Sequence, residues 1–323
     1  MSDSFQRPIS YLRISVTDRC NLRCTYCMPP EGVTLIPHSD VLRYEEILSI
    51  VRIAASMGIT KVRLSGGEPL VRAGLVDFVR MLAEVREIED LSLTTNGVLL
   101  KDYAAALKNA GLQRVNVSLD SLKRQRFREI TGYDRLQDVL EGITEARRAG
   151  IAPIKVNVVV MRGINDDELL DFARLTADGW NVRFIELMPI LNGGAKQPEF
   201  VPANEMWDIL SQLGKLEPCS PLMGNGPASY YRLPGARGTI GFITPVSDHF
   251  CFKCNRLRLT ADGKLLPCLL SSEEFDLRAP LRAGASPADI SQLLLKAIAA
   301  KPAGHRVSQG VVSQRRPMTQ VGG

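Results

Sequence analysis

Three cysteines spaced Cys20-x3-Cys24-x2-Cys27 follow an apolar run at residues 11–16 (YLRISV). Thiolates are the usual protein ligands of iron–sulfur clusters, and a four-iron cluster ordinarily takes four of them. Three leave one iron open, the distinction that also separates a catalytic metal site from a closed structural one. An open iron can take a chelating ligand through an amino and a carboxylate group and pass it an electron. A zinc knuckle or buried free thiols are the plainer readings of a short Cys-x2-Cys pair. The complete spacing at a strand-to-loop junction favours the cluster.

A second thiol group, Cys251-x2-Cys254-x13-Cys268, lies far downstream. Together with Cys219 it could form a four-cysteine zinc site. The intervening Asn255-Arg256-Leu257-Arg258-Leu259 points elsewhere, because two arginines one residue apart on a strand share a face. Paired guanidinium groups beside a metal suit an anionic substrate, which a structural zinc site does not need. Cations also interrupt four other apolar strands, at Arg13, Arg63, Lys155 and Arg183. Strands of a parallel barrel are covered on both faces, so such charges must snorkel outward, pair with a carboxylate such as Glu186, or face a shared anion. Their number favours the anion, with arginine suited to bidentate phosphate recognition and lysine to a point charge.

The strand at residues 61–65 runs into Ser65-Gly66-Gly67-Glu68-Pro69, where two glycines let backbone approach a ligand closely. Ser118 closes another strand within Val117-Ser118-Leu119-Asp120. The three histidines, His38, His249 and His305, have no carboxylate at ligand spacing and read as structural.

With 323 residues, 45% hydrophobic and 23% charged, the chain has the balance of a soluble protein of one large domain or two ordinary ones. Seven clustered cysteines suit metal binding in a reducing cytoplasm better than a disulfide framework. The polar start, Met1 to Pro8, carries no secretory apolar core, and no run reaches the eighteen or more apolar residues of a membrane span. A net charge of +5 admits a polyanionic ligand, whereas 6% aromatic residues give little support to a zinc-containing RNA-binding protein.

Strands are expected near 11–16, 61–65, 91–95, 114–119, 154–160 and 181–187, with helical segments between them. Ile47, Leu48, Val51, Ala54 and Ala55 lie on one helical face, and Gly58, Gly111 and Gly150 mark helix ends. This alternation implies parallel strands with right-handed crossovers, six units forming an open barrel. The pattern breaks near residue 190. A helix at about 203–213, a Pro/Gly-rich stretch, short strands at 239–243, 256–260 and 264–268, and a helix at about 287–300 suggest a small antiparallel element. The expected fold is therefore α/β, an incomplete (βα)6 TIM-like barrel over residues 8–215. A small C-terminal antiparallel β/α domain, residues 216–323, closes its open side.

CxxxCxxC, GGEP, TTNG (Thr94 to Gly97), NVSLD, FIELM (Phe184 to Met188), the second trio with NRLRL, and a Gly-Gly terminus occur in one order. That order resembles the GTP 3′,8-cyclase family of radical S-adenosylmethionine enzymes, which catalyse the first step of molybdenum cofactor biosynthesis. The resemblance implies two four-iron, four-sulfur (4Fe-4S) clusters and S-adenosylmethionine as cofactors. Cys20, Cys24 and Cys27 would hold the first cluster, and Cys251, Cys254 and Cys268 a second whose open iron binds guanine. Tyr26, Gly67, Ser118 and Met188 match positions contacting S-adenosylmethionine. Arg13, Arg63, Thr94, Lys155, Arg256, Leu257 and Arg258 match positions contacting GTP. Gly322 and Gly323 would enter the barrel mouth as a catalytic tail, with Arg183 a further candidate, and Cys219 lies outside the family pattern.

The implied reaction cleaves S-adenosylmethionine reductively to a 5′-deoxyadenosyl radical, which takes hydrogen from C3′ of GTP. Attack on C8 then gives 3′,8-cyclo-7,8-dihydro-GTP. Implied partners are GTP, an electron donor and the downstream cyclic pyranopterin monophosphate synthase, with neither membrane nor nucleic acid. The location would be cytoplasmic, and a homodimer is admitted. The competing enzyme reading is a radical peptide-modifying protein with auxiliary clusters. Such proteins usually carry more C-terminal cysteines and lack the paired arginines.

Overall fold

Period-two alternation runs through nearly every long strand, with the polar residues on one face and the apolar ones on the other. A computed structural model describes residues 1–28, 32–188, 199–220, 223, 226–305 and 316–322. Six central strands, β1 (Tyr11–Ser15), β2 (Lys61–Ser65), β3 (Asp90–Thr95), β4 (Arg114–Ser118), β5 (Ile154–Val160) and β6 (Asn181–Glu186), pair in sequence order and in parallel. The helices following them are α1 (Tyr44–Ser56), α2 (Leu75–Ala83), α3 (Leu100–Asn109), the pair α4 (Arg124–Thr131) and α5 (Leu136–Arg148), α6 (Leu169–Arg174) and α7 (Ala203–Leu210).

Register then sorts the faces. Leu12, Ile14, Val62, Leu64, Leu93, Val115, Val117, Val156, Val182 and Phe184 are buried in the main apolar core, where the helices cover the sheet. The alternate positions, Arg13 beside Arg63, Arg63 beside Ser92, Asn116 beside Lys155 and Asn157 beside Arg183, line the other side. The barrel is thus apolar outside and polar within, the reverse of a barrel packed with branched side chains.

The C-terminal strands are β7 (Glu217–Pro218), β8 (Ser229–Arg232), β9 (Thr239–Ile243), β10 (Arg256–Leu259), β11 (Lys264–Leu266) and β12 (Phe275–Asp276). Two of them extend the barrel sheet in parallel: β9 pairs with β6, and β10 pairs with β1. Antiparallel strands hang on these additions, β7–β8–β9 at one end and β10–β11–β12 at the other; of these the sequence reading expects β9, β10 and β11 but not β7, β8 or β12. The result is one sheet of 12 strands, ordered β12-β11-β10-β1-β2-β3-β4-β5-β6-β9-β8-β7. After α8 (Arg278–Arg282), α9 (Pro287–Ala299) begins with a Ser286–Asp289 capping box and packs on α1. A last turn, α10 (Met318–Val321), brings the C-terminal segment back to the sheet. No helix among the described residues is long and apolar enough to cross a membrane.

Candidate functional site

Cys20, Cys24 and Cys27 lie on the loop after β1, and each of their thiols is held above its ordinary range by burial first. Cys27 and Asp120 add to the effect at Cys24, and Cys20 adds to it at Cys27, so the three are near enough to feel one another. The loop is fixed from below by the glycine turn. Gly67 donates its N–H to Thr17 O at 2.7 Å, and Glu68 donates to Arg19 O at 2.8 Å. A Cβ on Gly67 would stand 2.4 Å from Arg19 O and one on Gly66 2.4 Å from Thr17 O, so only glycine permits this approach.

Glu68 joins three of the motifs seen in sequence. Its buried carboxylate accepts from Leu70 N (3.0 Å), Thr95 Oγ1 (2.7 Å) and Asn96 N (2.7 Å), and burial raises its pKa to about 7. Asn96 in turn donates to Asn21 Oδ1 at 2.7 Å and approaches Cys20 Sγ at 3.8 Å. On the other side Tyr26 donates its hydroxyl to Asp120 Oδ2 at 2.7 Å, while Asp120 Oδ1 accepts from Val159 N at 2.8 Å. Ser118 ends β4 two residues earlier. Met188, just beyond β6, packs with Leu270, Val246, Cys268 and Met318 and so stands on the side of the second trio.

Inside the barrel the cations gather. Arg13 donates to Ser65 Oγ (3.3 Å), Arg63 to Ser92 Oγ (3.2 Å), Arg183 to Asn116 Oδ1 (2.7 Å), and Lys155 to Met223 O (2.7 Å). Thr94 Oγ1 accepts from Asn116 Nδ2 at 3.3 Å in the same layer. Among the described residues none of these four cations, nor Arg258, forms an ion pair, whereas Arg114 takes both oxygens of Asp90. Burial, reinforced by neighbouring cations, lowers Arg63 and Arg258 to about 10 and Lys155 to about 6, and pulls Arg13 and Arg183 down as well. Glu186, the carboxylate that could have neutralised one of them, is used instead by Ala203 N, Val246 N, Ser247 N and the Ser247 hydroxyl. Three buried polar atoms on the lumen face, Tyr11 Oη, Asn157 Oδ1 and Arg183 Nε, have no hydrogen-bond partner among the described residues. Unpaired buried charges and orphaned donors are both costly without a ligand.

The second trio sits at the β10 edge. Cys251 opens a short 3-10 turn, Cys254 precedes β10, and Cys268 follows β11. Burial raises Cys251; at Cys254 burial acts the same way, but Arg256 and Lys301 outweigh it and bring the thiol down to about 6. The Arg256 guanidinium lies 5.1 Å from the Phe250 ring centroid and reaches Cys254, so it serves this site more directly than the lumen. Leu257 points into the apolar core, which leaves only its main chain for a ligand. Cys219 is carried on the β7–β8 hairpin at the opposite end of the sheet, its N–H donating to Tyr230 O at 3.0 Å. His249 and His305, distant in sequence, meet with ring centroids 5.4 Å apart. Each trio offers only soft thiol donors, three to a group, which fits an iron–sulfur cluster with one open iron. Among the described residues no three His, Cys, Asp or Glu side chains form a single-ion cage.

The C-terminal segment returns to strands β1, β2 and β10. Arg316 clasps Asp262 (3.0 Å) and Glu274 (2.5 Å), Val321 is buried, and Gly322 O accepts from Arg258 Nη1 at 2.6 Å. A Cβ on Gly322 would fall 2.4 Å from Ser65 Oγ. Gly323 lies outside the described residues. Sequence reasoning did not single out Glu68, Asp120, Lys301 or Arg316. Only Glu68 and Asp120 carried a signal, since each stands inside a quoted motif.

Comparison with known proteins covers almost the whole chain. The radical SAM superfamily profile matches residues 14–176, and the profile described as molybdenum cofactor synthesis C matches 180–307. A protein named GTP 3′,8-cyclase from Moorella thermoacetica is 53% identical over 100% of both chains. One of the same name from Pelotomaculum thermopropionicum is also 53% identical over 100% of both. A third, from Listeria monocytogenes, is 48% identical over 100% of this chain and 99% of its own. Among solved structures, Streptococcus suis SuiB superposes with a TM-score of 0.61 at 15% identity, covering 94% of this chain and 68% of that one. Its complex with S-adenosylmethionine gives 0.59 at 16% identity, covering 84% and 63%.

Proposed function

The chain belongs to the GTP 3′,8-cyclase family of radical S-adenosylmethionine enzymes, and from that membership we propose how its own residues divide the work. It is a radical enzyme of molybdenum cofactor biosynthesis that uses S-adenosylmethionine and carries iron–sulfur clusters. The observation that carries the division is the uncompensated cation set of the barrel lumen, with its orphaned polar atoms, lying between two thiol trios.

Cys20, Cys24 and Cys27 hold the first 4Fe-4S cluster and leave one iron for S-adenosylmethionine. Tyr26, Gly67 and Ser118 contact that cofactor, Met188 reaches it from the side of the second trio, and Glu68 ties the glycine turn to the Thr95–Asn96 loop. Cys251, Cys254 and Cys268 hold the second cluster, with Cys219 a bystander. When bound, the first cluster and S-adenosylmethionine supply one-electron cleavage of the sulfonium and hydrogen abstraction from the ribose. The chain's own share is to bind, orient and exclude water. Arg13, Arg63, Lys155, Arg183 and Arg258 neutralise the triphosphate, Thr94 and the main chain at Leu257 orient the nucleoside, and Arg256 adds charge on the side of the second trio. Gly322 sits against Ser65 and Arg258 at the lumen, where a side chain would clash, and serves as the end of the tail.

The division at residue 215 into barrel and C-terminal unit is proposed as a folding boundary only, because a single sheet continues across it. An electron donor, product transfer to cyclic pyranopterin monophosphate synthase, a cytoplasmic location and a homodimer complete the proposal.

Anaerobic incubation of the reconstituted protein with S-adenosylmethionine, dithionite and GTP tests it. The expected products are 5′-deoxyadenosine and a cyclised nucleotide. Deoxyadenosine without any change in GTP would leave the radical reading standing and refute the assignment of the lumen.

A further inference from the structure

Beside the half-buried Arg256, two fully buried cations, Arg7 and Lys301, hold the second cysteine site, and they differ in one respect. Arg7 is already neutralised: its Nε meets Asp3 Oδ2 at 2.6 Å with both side chains buried. Its other N–H groups donate to Cys251 O (2.7 Å), Pro302 O (2.7 Å) and Ala303 O (3.1 Å). Lys301, just past α9, is 3% exposed and donates from Nζ to Arg256 O (2.8 Å) and Pro267 O (2.7 Å). Among the described residues it forms no ion pair. The two carbonyls belong to the segments bearing Cys254 and Cys268, so this ammonium is stitched between two of the three proposed ligands.

Carbonyl dipoles solvate an ammonium but do not neutralise it, and a buried charge without a counter-charge is strongly disfavoured. The C-terminus of α9 contributes only a partial negative charge, within its last turn. The groups that can carry full negative charge here are Cys254 and Cys268. Burial lowers Lys301, and those two thiols push it back up. A dipositive four-iron core held by three thiolates carries one net negative charge, and a one-electron reduction makes it two.

We propose that Lys301 is the counter-charge of the second cluster, favouring its reduced form and so raising its reduction potential. The proposal rests on the reading that Cys251, Cys254 and Cys268 hold a cluster. Arg7 already has a carboxylate partner in Asp3 and shapes the loop through its bonds to Cys251, Pro302 and Ala303.

The test is a redox titration of the second cluster, followed by electron paramagnetic resonance, in anaerobically reconstituted holoenzyme. Lys301→Gln keeps a donor for the carbonyls without the charge, Lys301→Met removes both, and Lys301→Arg keeps the charge. At a fixed poise the reduced-to-oxidised ratio should fall about tenfold in the Gln and Met variants, equivalent to about 59 mV for one electron. The Arg variant should stay within about twofold of wild type. Loss of the second cluster in Gln and Met but not in Arg would support the same role. An unchanged potential in Lys301→Gln, or cluster loss in Arg as well, would overturn it. Wild-type protein that binds only one cluster would refute the underlying reading instead.

Discussion

The two cysteine trios offer the same number of ligands in opposite electrostatic settings. Around the first, the buried charged neighbours are carboxylates: Glu68 raises Cys20, and Asp120 raises Cys24 and Cys27. Around the second they are cations, and Arg256 and Lys301 bring Cys254 down to about 6. Added electron density is resisted beside carboxylates and favoured beside cations. By this argument the first site suits the stronger reductant and the second suits an electron-accepting or anion-binding role. Ligand count says what can bind, and the surrounding charge says in which direction electrons prefer to move.

The sharpest break in that comparison is to remove one trio. Cys20→Ser, Cys24→Ser and Cys27→Ser together should abolish deoxyadenosine formation while about half the iron remains, held by the downstream trio. Iron analysis and product chromatography on one preparation decide it, and turnover at the wild-type rate would sink the assignment. Next in size is Gly67→Ala. The new Cβ, 2.4 Å from Arg19 O and 2.7 Å from Asp18 O, must displace the backbone leading into Cys20. A cost of about 1–3 kcal/mol is expected from such overpacking, read as a lower melting temperature and weaker retention of the first cluster alone. Gly226→Ala, where nothing among the described residues lies within 4 Å, should be close to neutral.

Much of this is legible in the sequence. The six barrel strands are written in alternations such as KVRLS and RVNVS, and the helix ends in glycines, because both obey local rules. The cysteine spacing is equally local. Pairing of β10 with β1, which aligns Arg13 with Arg258, joins residues that no nearby pattern connects. Lys301 and Arg316 escaped notice for the same reason, since their partners are carbonyls and carboxylates from remote turns. Leu257 can be read the same way: between two arginines on one face of the strand, alternation turns its side chain to the core, which leaves its main chain for the expected contact with GTP.

The lumen arginines separate the two regions further. Arg63→Ala and Arg258→Ala should each weaken GTP binding about ten- to a hundredfold, from loss of a charge-assisted hydrogen bond worth about 1.5–3 kcal/mol. Arg256→Ala should weaken it less and disturb the second cluster more, because its guanidinium is engaged with Phe250 and Cys254. Calorimetry on the three variants would reject this ordering if Arg256→Ala proved the most damaging to GTP.

The smallest effect expected is the pH dependence set by Lys155. Burial first, then Arg183, Arg114 and Arg63, lower its pKa to about 6, so at neutral pH the ligand-free side chain is mostly uncharged. A triphosphate beside it favours the ammonium, and binding must take up a proton. GTP affinity should therefore fall as pH rises above about 6, by at most tenfold per pH unit, until the raised pKa of the complex is passed. Folding stability runs the other way. The unfolded chain binds this proton up to about 10.5, so the ligand-free fold gains stability as pH climbs between about 6 and that value. Calorimetry in buffers of different ionisation enthalpy reads the proton uptake directly. Lys155→Met should abolish the uptake and flatten the affinity profile, leaving only the titration of GTP itself. Equal uptake in both proteins would place the lysine away from the phosphates and return the lumen charge to the arginines alone.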